Sequence, residues 1–334
     1  MLAGRFVRRM VMAVAAGVAV AALASFAAAA PQKTLQLYTS QPDQDAAALV
    51  KAFEEAYPDV AVSIFRSGTE EVISRFLLEA ESGHRRADVL LVADAPTFEA
   101  LKQRGLLEAY RSPEAARIPA AYYDPEGMYY GTKVMATVIV YHRTLGKPLR
   151  RWADLLQPSV RGKLVMPSPF YSGAAAYNVG VWSRTEGLGW PWLEALARQD
   201  VLMVQGNGAV LRSVASGERP YGTIVDFMAV RARLQGSPIE VVYPEDGVPV
   251  ITEPIGIVKG TPNLEAARRF VDFVLSKQGQ ELAARLGYMP LRSDVTPPEG
   301  FPALERIRVM AVPPAELAAG READKQRFSD VFGQ

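Results

Sequence analysis

Apolar and polar positions follow two different periods along most of the chain, and the two periods alternate. Residues 35–39 alternate between apolar and polar side chains, as a half-buried strand does. Residues 46–57 instead repeat apolar side chains at helical spacing and stop at Pro58. The same succession continues along the first third of the chain. It predicts strands at 35–39, 60–65 and 88–92 and helices at 46–57, 69–81 and 97–105.

The middle of the chain contains two long β-rich segments, at 134–141 and 251–258. Shorter elements lie between them, and helices follow them. The pattern predicts strands at 163–166 and 221–225, helices at 174–182, 192–199, 209–216, 264–276 and 278–286, and a charged tail that frays after Gly320. Two long β segments so far apart in sequence predict two crossings between lobes, and hinge closure is the usual motion of that layout.

The predicted architecture is therefore α/β with two lobes. Each lobe is expected to be a mainly parallel sheet flanked by helices, because strand–helix units repeat along the chain, and a hinged cleft separates the lobes. Residues 31–135 plus about 257–290 are predicted to form lobe 1, and residues 136–256 lobe 2. Residues 291–334 are predicted to form a C-terminal helical segment and tail.

The first thirty residues have the pattern of a signal peptide. Arg5, Arg8 and Arg9 precede an apolar run at 10–26, and residues 27–30 are four alanines suited to signal peptidase. We expect cleavage and export to the periplasm, with a retained anchor as the alternative. The chain has no cysteine, which excludes a lipoprotein anchor, disulfides and thiolate metal sites.

Charge narrows the choice of partners. The chain has 37 Lys and Arg against 36 Asp and Glu, and without the three arginines of the predicted signal the basic count is 34. Because no basic surplus exists to hold a phosphate backbone, we expect no nucleic-acid partner. No later stretch is long and apolar enough to cross a bilayer, so no membrane insertion is expected after signal cleavage. No apolar stripe is left over, so we expect a monomer.

Several short motifs, in order and at characteristic spacing, carry a family resemblance. They are Leu37-Tyr38-Thr39-Ser40, Ala87-Asp88-Val89-Leu90-Leu91, Val138-Ile139-Val140-Tyr141, Gly217-Glu218, Glu253-Pro254-Ile255-Gly256-Ile257-Val258 and Asn263-Leu264-Glu265-Ala266-Ala267. Over residues 34–290 the chain resembles the ferric-iron-binding group of periplasmic proteins, type II solute-binding proteins of ABC importers. The resemblance implies a type II periplasmic binding fold, a small-molecule ligand, and an ABC permease with its ATPase as partners.

The chain departs from that group where the group binds iron. Phe227-Met228 stand where the iron binders carry a tyrosine pair, and Gln41-Pro42-Asp43 stand where they usually carry a histidine. Ferric iron favours anionic oxygen ligands, which phenylalanine and methionine do not supply. We therefore expect no metal and no cofactor. Ferric iron held by a non-standard tyrosine and anion set is one alternative, and a polyamine or other small organic solute is a second.

Three loops carry residues suited to an oxyanion. Ser67-Gly68-Thr69 precedes one predicted helix, and Ser168 with Ser172-Gly173-Ala174 precedes another. Thr39 and Ser40 end the first strand, where ligands of open α/β sheets usually lie. A helix N-terminus offers N–H groups and partial positive charge to an anion. Simple capping of the helices is the alternative explanation for each serine and threonine.

A carboxylate near these loops would extend the site to a second ligand group. Asp226 ends a predicted strand beside Phe227-Met228 and could receive an ammonium or hydroxyl group, so an aminophosphonate would satisfy both ends. N-capping of the segment at 228–234 is the alternative for Asp226. Five further residues are possible contacts: Gln41, Asp94, Tyr171, Asn207 and Phe227.

The sequence therefore predicts a periplasmic binding protein that delivers a small oxyanion-bearing solute, favouring a phosphonate or phosphate ester, to an ABC importer. An enzyme is not expected, because the chain has no G-x-S-x-G elbow, H-E-x-x-H motif, P-loop or dinucleotide fingerprint. A solute sensor that signals instead of transporting is the remaining alternative.

Overall fold

The computed structural model describes residues 33–302 and 306–333. The predicted signal peptide lies outside the described residues. No helix in the part of the chain that the structure describes combines the length and the apolar composition that crossing a membrane requires.

The described residues alternate strands and helices, as the sequence pattern predicts. The strands are β1 (Lys33–Thr39), β2 (Val60–Arg66), β3 (Val89–Leu91), β4 (Leu107–Glu108), β5 (Tyr130–His142), β6 (Leu164–Pro167), β7 (Leu202–Val204), β8 (Tyr221–Val225), β9 (Ile239–Val242), β10 (Val248–Val258) and β11 (Val309–Met310). The helices are α1 (Asp43–Ala56), α2 (Thr69–Glu81), α3 (Ala95–Gln103), α4 (Gly173–Arg184), α5 (Gly189–Ala197), α6 (Asn207–Ser216), α7 (Asp226–Leu234), α8 (Leu264–Leu275), α9 (Lys277–Arg285) and α10 (Pro314–Phe332). Short 3-10 helices occupy Pro113–Arg117, Ala120–Tyr122 and Trp152–Leu156.

One continuous sheet joins these elements. Its strand order is β2-β1-β3-β10-β5-β8-β6-β7, with β4 and β11 beside β10 and β9 beside β5. The pairs β1–β3, β6–β7 and β6–β8 are parallel, as predicted. The two long strands β5 and β10 pair antiparallel with each other at the centre, with Val250 opposite Ala136, and antiparallel with their outer neighbours. The sheet is therefore mixed, because the long strands cross it twice in the direction opposite to the parallel pairs.

The buried core divides within these two long strands. Tyr130 of β5 and Ile255 of β10 pack with β1, α1 and α8, whereas Met135 and Ile251 pack with α6, α7 and β8. We call the elements β1–β4, α1–α3, α8 and α9 the first element group, and β6–β9 and α4–α7 the second element group. The predicted lobe boundaries fall in β5 and β10, and the assignment of the two groups to separate lobes stays a prediction.

The C-terminal end differs from the prediction of a fraying tail. Residues 314–332 form the continuous helix α10, which packs against α3, α4 and α5. Leu317 and Phe328 are buried in the core of the second element group, and Leu317 fits against Gly180, where an added Cβ would lie 2.8 Å from its side chain. Tertiary contacts thus stabilise α10, although its sequence has little amphipathic periodicity.

Helix α10 also forms ion pairs with both element groups. Arg184 of α4 pairs with Asp324 at 2.6 Å, on the side of the second group. Arg321 donates to Asp94 at 2.9 Å and to Glu70 at 2.6 Å, on the side of the first group. Burial alone would raise the pKa of the Glu70 carboxyl, but Arg321 and Lys325 outweigh burial and lower that pKa.

Replacing Arg321 by Met should lower the free energy of unfolding by about 3–5 kcal/mol, because Asp94 is fully buried and would lose its counter-ion. Arg327→Met in the same helix is the matched control, since the Arg327–Glu194 pair is half exposed and should contribute about 1 kcal/mol or less. Urea unfolding measures both variants.

The effect of Arg321→Met should also depend on pH. The pKa of Glu70 is lowered in the folded state, so its contribution is present above about pH 4.3, the unfolded value, and is lost as the pH falls through the folded value. The difference between wild type and variant should therefore shrink at acid pH. Equal effects of the Arg321 and Arg327 substitutions at neutral pH would contradict the proposed importance of this network.

Candidate functional site

A cavity of about 390 Å³ lies where the two element groups meet. Residues from loops after β1, β2, β3 and β6, from the first turns of α4 and α6, and from β10 form its walls. The residues that border it are Ser40, Pro42, Asp43, Arg66, Gly68, Thr69, Ala93, Met135, Tyr171, Ser172, Gly173, Ala174, Gln205, Gly206, Asn207, Gly208, Ala209, Arg212, Val225, Phe227, Met228, Glu253 and Tyr288.

Several helix N-termini border this cavity. Among them are those of α2, α4 and α6, whose N-cap residues are Gly68, Ser172 and Gly206. The first backbone N–H groups of a helix have no partner within the helix. In the first turns of these three helices, the N–H groups of five cavity residues donate to no other described residue: Thr69, Gly173, Ala174, Asn207 and Gly208. The cavity therefore gathers unused donors and the positive ends of three helix dipoles.

Glycine at two of these positions permits close contact between the element groups. A Cβ at Gly173 would lie 2.5 Å from the carbonyl oxygen of Ala93 and within 2.9 Å of Thr69. A Cβ at Gly68 would lie 2.7 Å from the ring of Tyr171. The backbone adds a contact, since the N–H of Glu70 donates to the carbonyl oxygen of Tyr171 at 3.4 Å. Small residues are thus required where the two groups touch across the cavity.

Two arginines that the sequence does not single out border the cavity. Arg66 ends β2, and its Nε donates to the carbonyl oxygen of Gln41 at 2.8 Å and lies 3.7 Å from Asp43. Arg212 is exposed and makes no hydrogen bond or ion pair with any residue that the structure describes. Gly208 and Arg212 are four residues apart, which places them on one face of α6. That spacing was the available signal for Arg212.

The opposite wall combines aromatic rings with a network of charged groups. The rings of Phe227 and Tyr288 lie 4.1 Å apart at 32°. The Tyr288 hydroxyl donates to Asp45 at 2.6 Å, and Arg231 binds both oxygens of the same carboxylate at 2.9 Å. Burial, with Glu253 and Asp45 nearby, raises the pKa of Tyr288 well above its usual value. This phenol therefore stays protonated in neutral solution.

Nine of the predicted contact residues border the cavity, and six do not. Those at the cavity are Ser40, Gly68, Thr69, Tyr171, Ser172, Gly173, Ala174, Asn207 and Phe227. Those elsewhere are Thr39, Gln41, Ser67, Asp94, Ser168 and Asp226.

Most residues of the second set have structural contacts. Thr39 donates to the carbonyl oxygen of Leu91 at 2.7 Å, and Asp94 caps α3 through the N–H of Thr97 at 3.0 Å. The hydroxyl of Ser67 donates to Glu71. Ser168 accepts from the N–H of Phe170 at 3.2 Å. Asp94 therefore caps α3, whereas the hydroxyls of Ser67 and Ser168 contact residues two to four positions further along the chain.

Asp226, which the sequence predicts as a ligand contact, does not border the cavity. It is the first residue of α7, and its carboxylate accepts from the Phe227 N–H at 2.8 Å and from the Tyr243 hydroxyl at 3.1 Å. Burial raises its pKa to about 7, against the opposing effect of these hydrogen bonds. The carboxylates that do reach the cavity belong to Asp43 and Glu253.

The overall fold is that of type II periplasmic binding proteins. AfuA from Actinobacillus pleuropneumoniae, solved with fructose-6-phosphate, superimposes with a TM-score of 0.83 over 90% of this chain and 99% of AfuA at 24% identity. Iron-bound HitA from Pseudomonas aeruginosa superimposes with a TM-score of 0.77 over 89% of this chain and 99% of HitA at 21% identity. The predicted fold class is confirmed.

Residues 85–317 match the family described as bacterial extracellular solute-binding protein, and the chain belongs to that family. Iron uptake protein A2 of Synechocystis is 28% identical over 77% of each chain. A putative 2-aminoethylphosphonate-binding periplasmic protein of Salmonella typhimurium is 26% identical over 81% of this chain and 83% of its own. These likenesses confirm the predicted relation to the ferric-iron-binding group of ABC importer solute-binding proteins.

Adding a methyl group at Gly173 should disturb the contact between the element groups. Gly173→Ala is expected to lower the free energy of unfolding by about 1–3 kcal/mol, because the Cβ meets backbone that cannot rotate away. Gly208→Ala is the matched control, since its Cβ has only ordinary contacts and alanine favours the helix by about 1 kcal/mol. Urea unfolding that finds Gly173→Ala as stable as wild type would contradict this packing.

Asp226→Asn should reveal the raised pKa of the buried carboxyl. Between about pH 4 and pH 7 the folded protein holds a proton that the unfolded chain releases, so the stability of the wild type falls as the pH rises. Relative to Asp226→Asn, the wild type should lose on the order of 3 kcal/mol over that range. Unfolding of both proteins at several pH values measures the difference, and the exposed Asp330→Asn serves as control. A difference in the free energy of unfolding between wild type and Asp226→Asn that does not change with pH would contradict the raised pKa of Asp226.

Proposed function

We propose that this protein is the periplasmic binding component that delivers a small oxyanion-bearing solute, a phosphonate or a phosphate ester, to an ABC permease and its ATPase. The observation that carries the proposal is the set of unused N–H groups from the N-termini of α2, α4 and α6 at a single cavity. Such donors, together with the aligned helix dipoles, favour an anion at this position.

The number of donors favours a phosphoryl group over a carboxylate. The N-termini of α2, α4 and α6 border the cavity, and Arg66 and Arg212 add guanidinium groups at its edge. Charge-assisted hydrogen bonds to an oxyanion are stronger than neutral ones. A phosphoryl group offers three oxygens to donors in different directions, whereas a carboxylate offers two in one plane.

The size of the cavity favours an organic phosphorus compound over inorganic phosphate. Its volume of about 390 Å³ falls in the range typical of small-molecule sites. The rings of Phe227 and Tyr288 and the side chain of Met135 supply an apolar surface beside the donors. A relative named for 2-aminoethylphosphonate and a fold neighbour solved with fructose-6-phosphate agree with this class of ligand.

Charge weakens the two alternatives for the ligand. A ferric ion or a polyamine would enter a cavity that carries Arg66 and Arg212, and like charges at short range repel. An iron-binding role for Tyr288 would also require breaking its hydrogen bond with Asp45. No group of three or more His, Asp or Glu suited to a metal occurs among the described residues. Because relatives are named for iron uptake, ferric citrate still belongs in the test.

We extend the proposal to the organisation of the chain. Residues 1–30 act as the signal peptide, the protein is a monomer, and the two element groups are lobes that close about the ligand by motion in β5 and β10. Closure would bring Thr69 and Gly173 together, as they are here, and would shield the donors from water.

Thermal unfolding with a ligand panel tests the proposed class of solute. The panel contains inorganic phosphate, alkylphosphonates, phosphate esters, putrescine and ferric citrate. A ligand present at 100 times its dissociation constant stabilises the folded state by about 2.7 kcal/mol. We expect stabilisation by organic phosphorus compounds. Stabilisation by ferric citrate or putrescine alone would reject the oxyanion proposal.

Arg212→Gln should weaken binding of the best phosphorus ligand by about tenfold, the loss expected for one charge-assisted contact. Since Arg212 has no partner among the described residues, the unfolding temperature without ligand should stay unchanged. Arg285→Gln, outside the cavity, is the control for general charge effects. Isothermal titration calorimetry provides the affinities, and equal affinities for wild type and Arg212→Gln would contradict this role.

A further inference from the structure

Glu253 has an unusual position in the wall of the cavity. It lies in β10, where the pairing with β5 shifts register between Thr252 and Pro254. Its backbone oxygen accepts from the hydroxyl of Thr132 at 2.6 Å, which fixes the irregular segment. The residue is 5% exposed, and it is one of the residues that border the cavity.

Only one of the two carboxylate oxygens of Glu253 is bonded. Oε2 forms an ion pair with Lys133 and accepts from Nε2 of Gln41 at 2.9 Å. Oε1 accepts no hydrogen bond from any other described residue. Oε1 is not one of the fully enclosed polar atoms that lack a partner among the described residues, so it is accessible at the cavity that Glu253 borders. The geometry therefore leaves one acceptor in the cavity for which a ligand group is the natural donor.

The charge around Glu253 determines which donor fits. Lys133 is buried, and its ammonium group contacts Oε2 and lies 4.4 Å from the centre of the Tyr288 ring, where the cation–π attraction also holds it. The negative charge of Glu253 is thus already balanced. A ligand ammonium at Oε1 would place a second cation close to Lys133 in a region of low dielectric, where repulsion is strong. A hydroxyl group donates equally well and has no such penalty.

We propose that Oε1 of Glu253 accepts a hydrogen bond from a hydroxyl group of the ligand, and that the Lys133–Glu253 pair discriminates against an ammonium group there. This inference rests on the proposed function and narrows it to hydroxylated phosphonates or phosphate esters. The phosphoryl group binds at the helix N-termini and the hydroxyl at Glu253. Asp226, the carboxylate that the sequence favours for the same task, lies outside the cavity.

A matched series of ligands tests the discrimination without any mutation. Each compound is an alkylphosphonate with a chain of about two to four carbons that ends in a methyl, a hydroxyl or an ammonium group, a size the cavity accommodates. Calorimetry on the full-length mature protein measures the affinities. At the best chain length, the hydroxyl compound should bind about tenfold more tightly than the methyl compound. The ammonium compound should gain nothing over methyl.

Lys133→Met should reverse the preference. The variant leaves Glu253 as an uncompensated anion, so the ammonium compound should become the tightest ligand of the series, by about tenfold over hydroxyl. Lys102→Met is the control, because Lys102 also pairs with a buried carboxylate, that of Asp124, but Asp124 does not border the cavity as Glu253 does. It should keep the hydroxyl preference of the wild type.

Glu253→Gln adds a measurement if Lys133→Met proves too unstable to purify. Gln carries no negative charge, so the hydroxyl advantage over methyl should fall to about threefold or less. An equal affinity of wild type for the three compounds, or an ammonium preference in wild type, would overturn the inference while leaving the oxyanion proposal intact. Failure of every phosphonate and of every phosphate ester of the ligand panel to bind would overturn both, and the two results are therefore distinguishable.

Discussion

The antiparallel pairing of β5 with β10 is the constraint on which the rest of the structure depends. These are the only long strands in the described residues that contribute to the cores of both element groups, and they pair from Val250–Ala136 to Ile255–Tyr130. Their hydrogen bonds fix how the parallel pairs on either side face each other. Because of that fixed arrangement, the loops after β2, β6 and β7 converge, and the helices that follow them begin at one cavity.

Periodicity was sufficient for most of the fold. The apolar run of β3, buried at all three positions, and the helical spacing of α1 are strong local signals, and both elements lie where the pattern predicts. Helix α10 could not be predicted in the same way, because its order depends on Leu317 and Phe328 fitting into the second element group. The short strands β4 and β11 pair with distant parts of β10, and two residues contain no period to detect.

The residues of the candidate site also differ in whether a local sequence signal could predict them. Gly68, Thr69 and Gly173 could be predicted because a helix start after a strand has a local signature. Asp226 and Asp94 have the same signature, yet their carboxylates bind the side chains of Tyr243 and Arg321. Glu253 was named in the sequence only as part of a family motif, since the distant Lys133 and Gln41 give its carboxylate its special state. Lys133 is 120 residues and Gln41 is 212 residues away from Glu253 in the sequence. A local sequence pattern therefore cannot reveal these contacts.

The unused donors at the cavity belong to the backbone, and this has a consequence for how the protein can change over evolutionary time. A side-chain substitution at Gly208 or Ala174 leaves the N–H group in place, and only proline removes it. Point mutations other than to proline therefore leave the anion-binding capacity of the helix N-termini almost unchanged. Substitutions of side chains such as Glu253 and Lys133, in contrast, directly change the groups that they offer. A lineage descended from this chain can drift readily from one solute to another while the part of the solute that meets the helices stays the same.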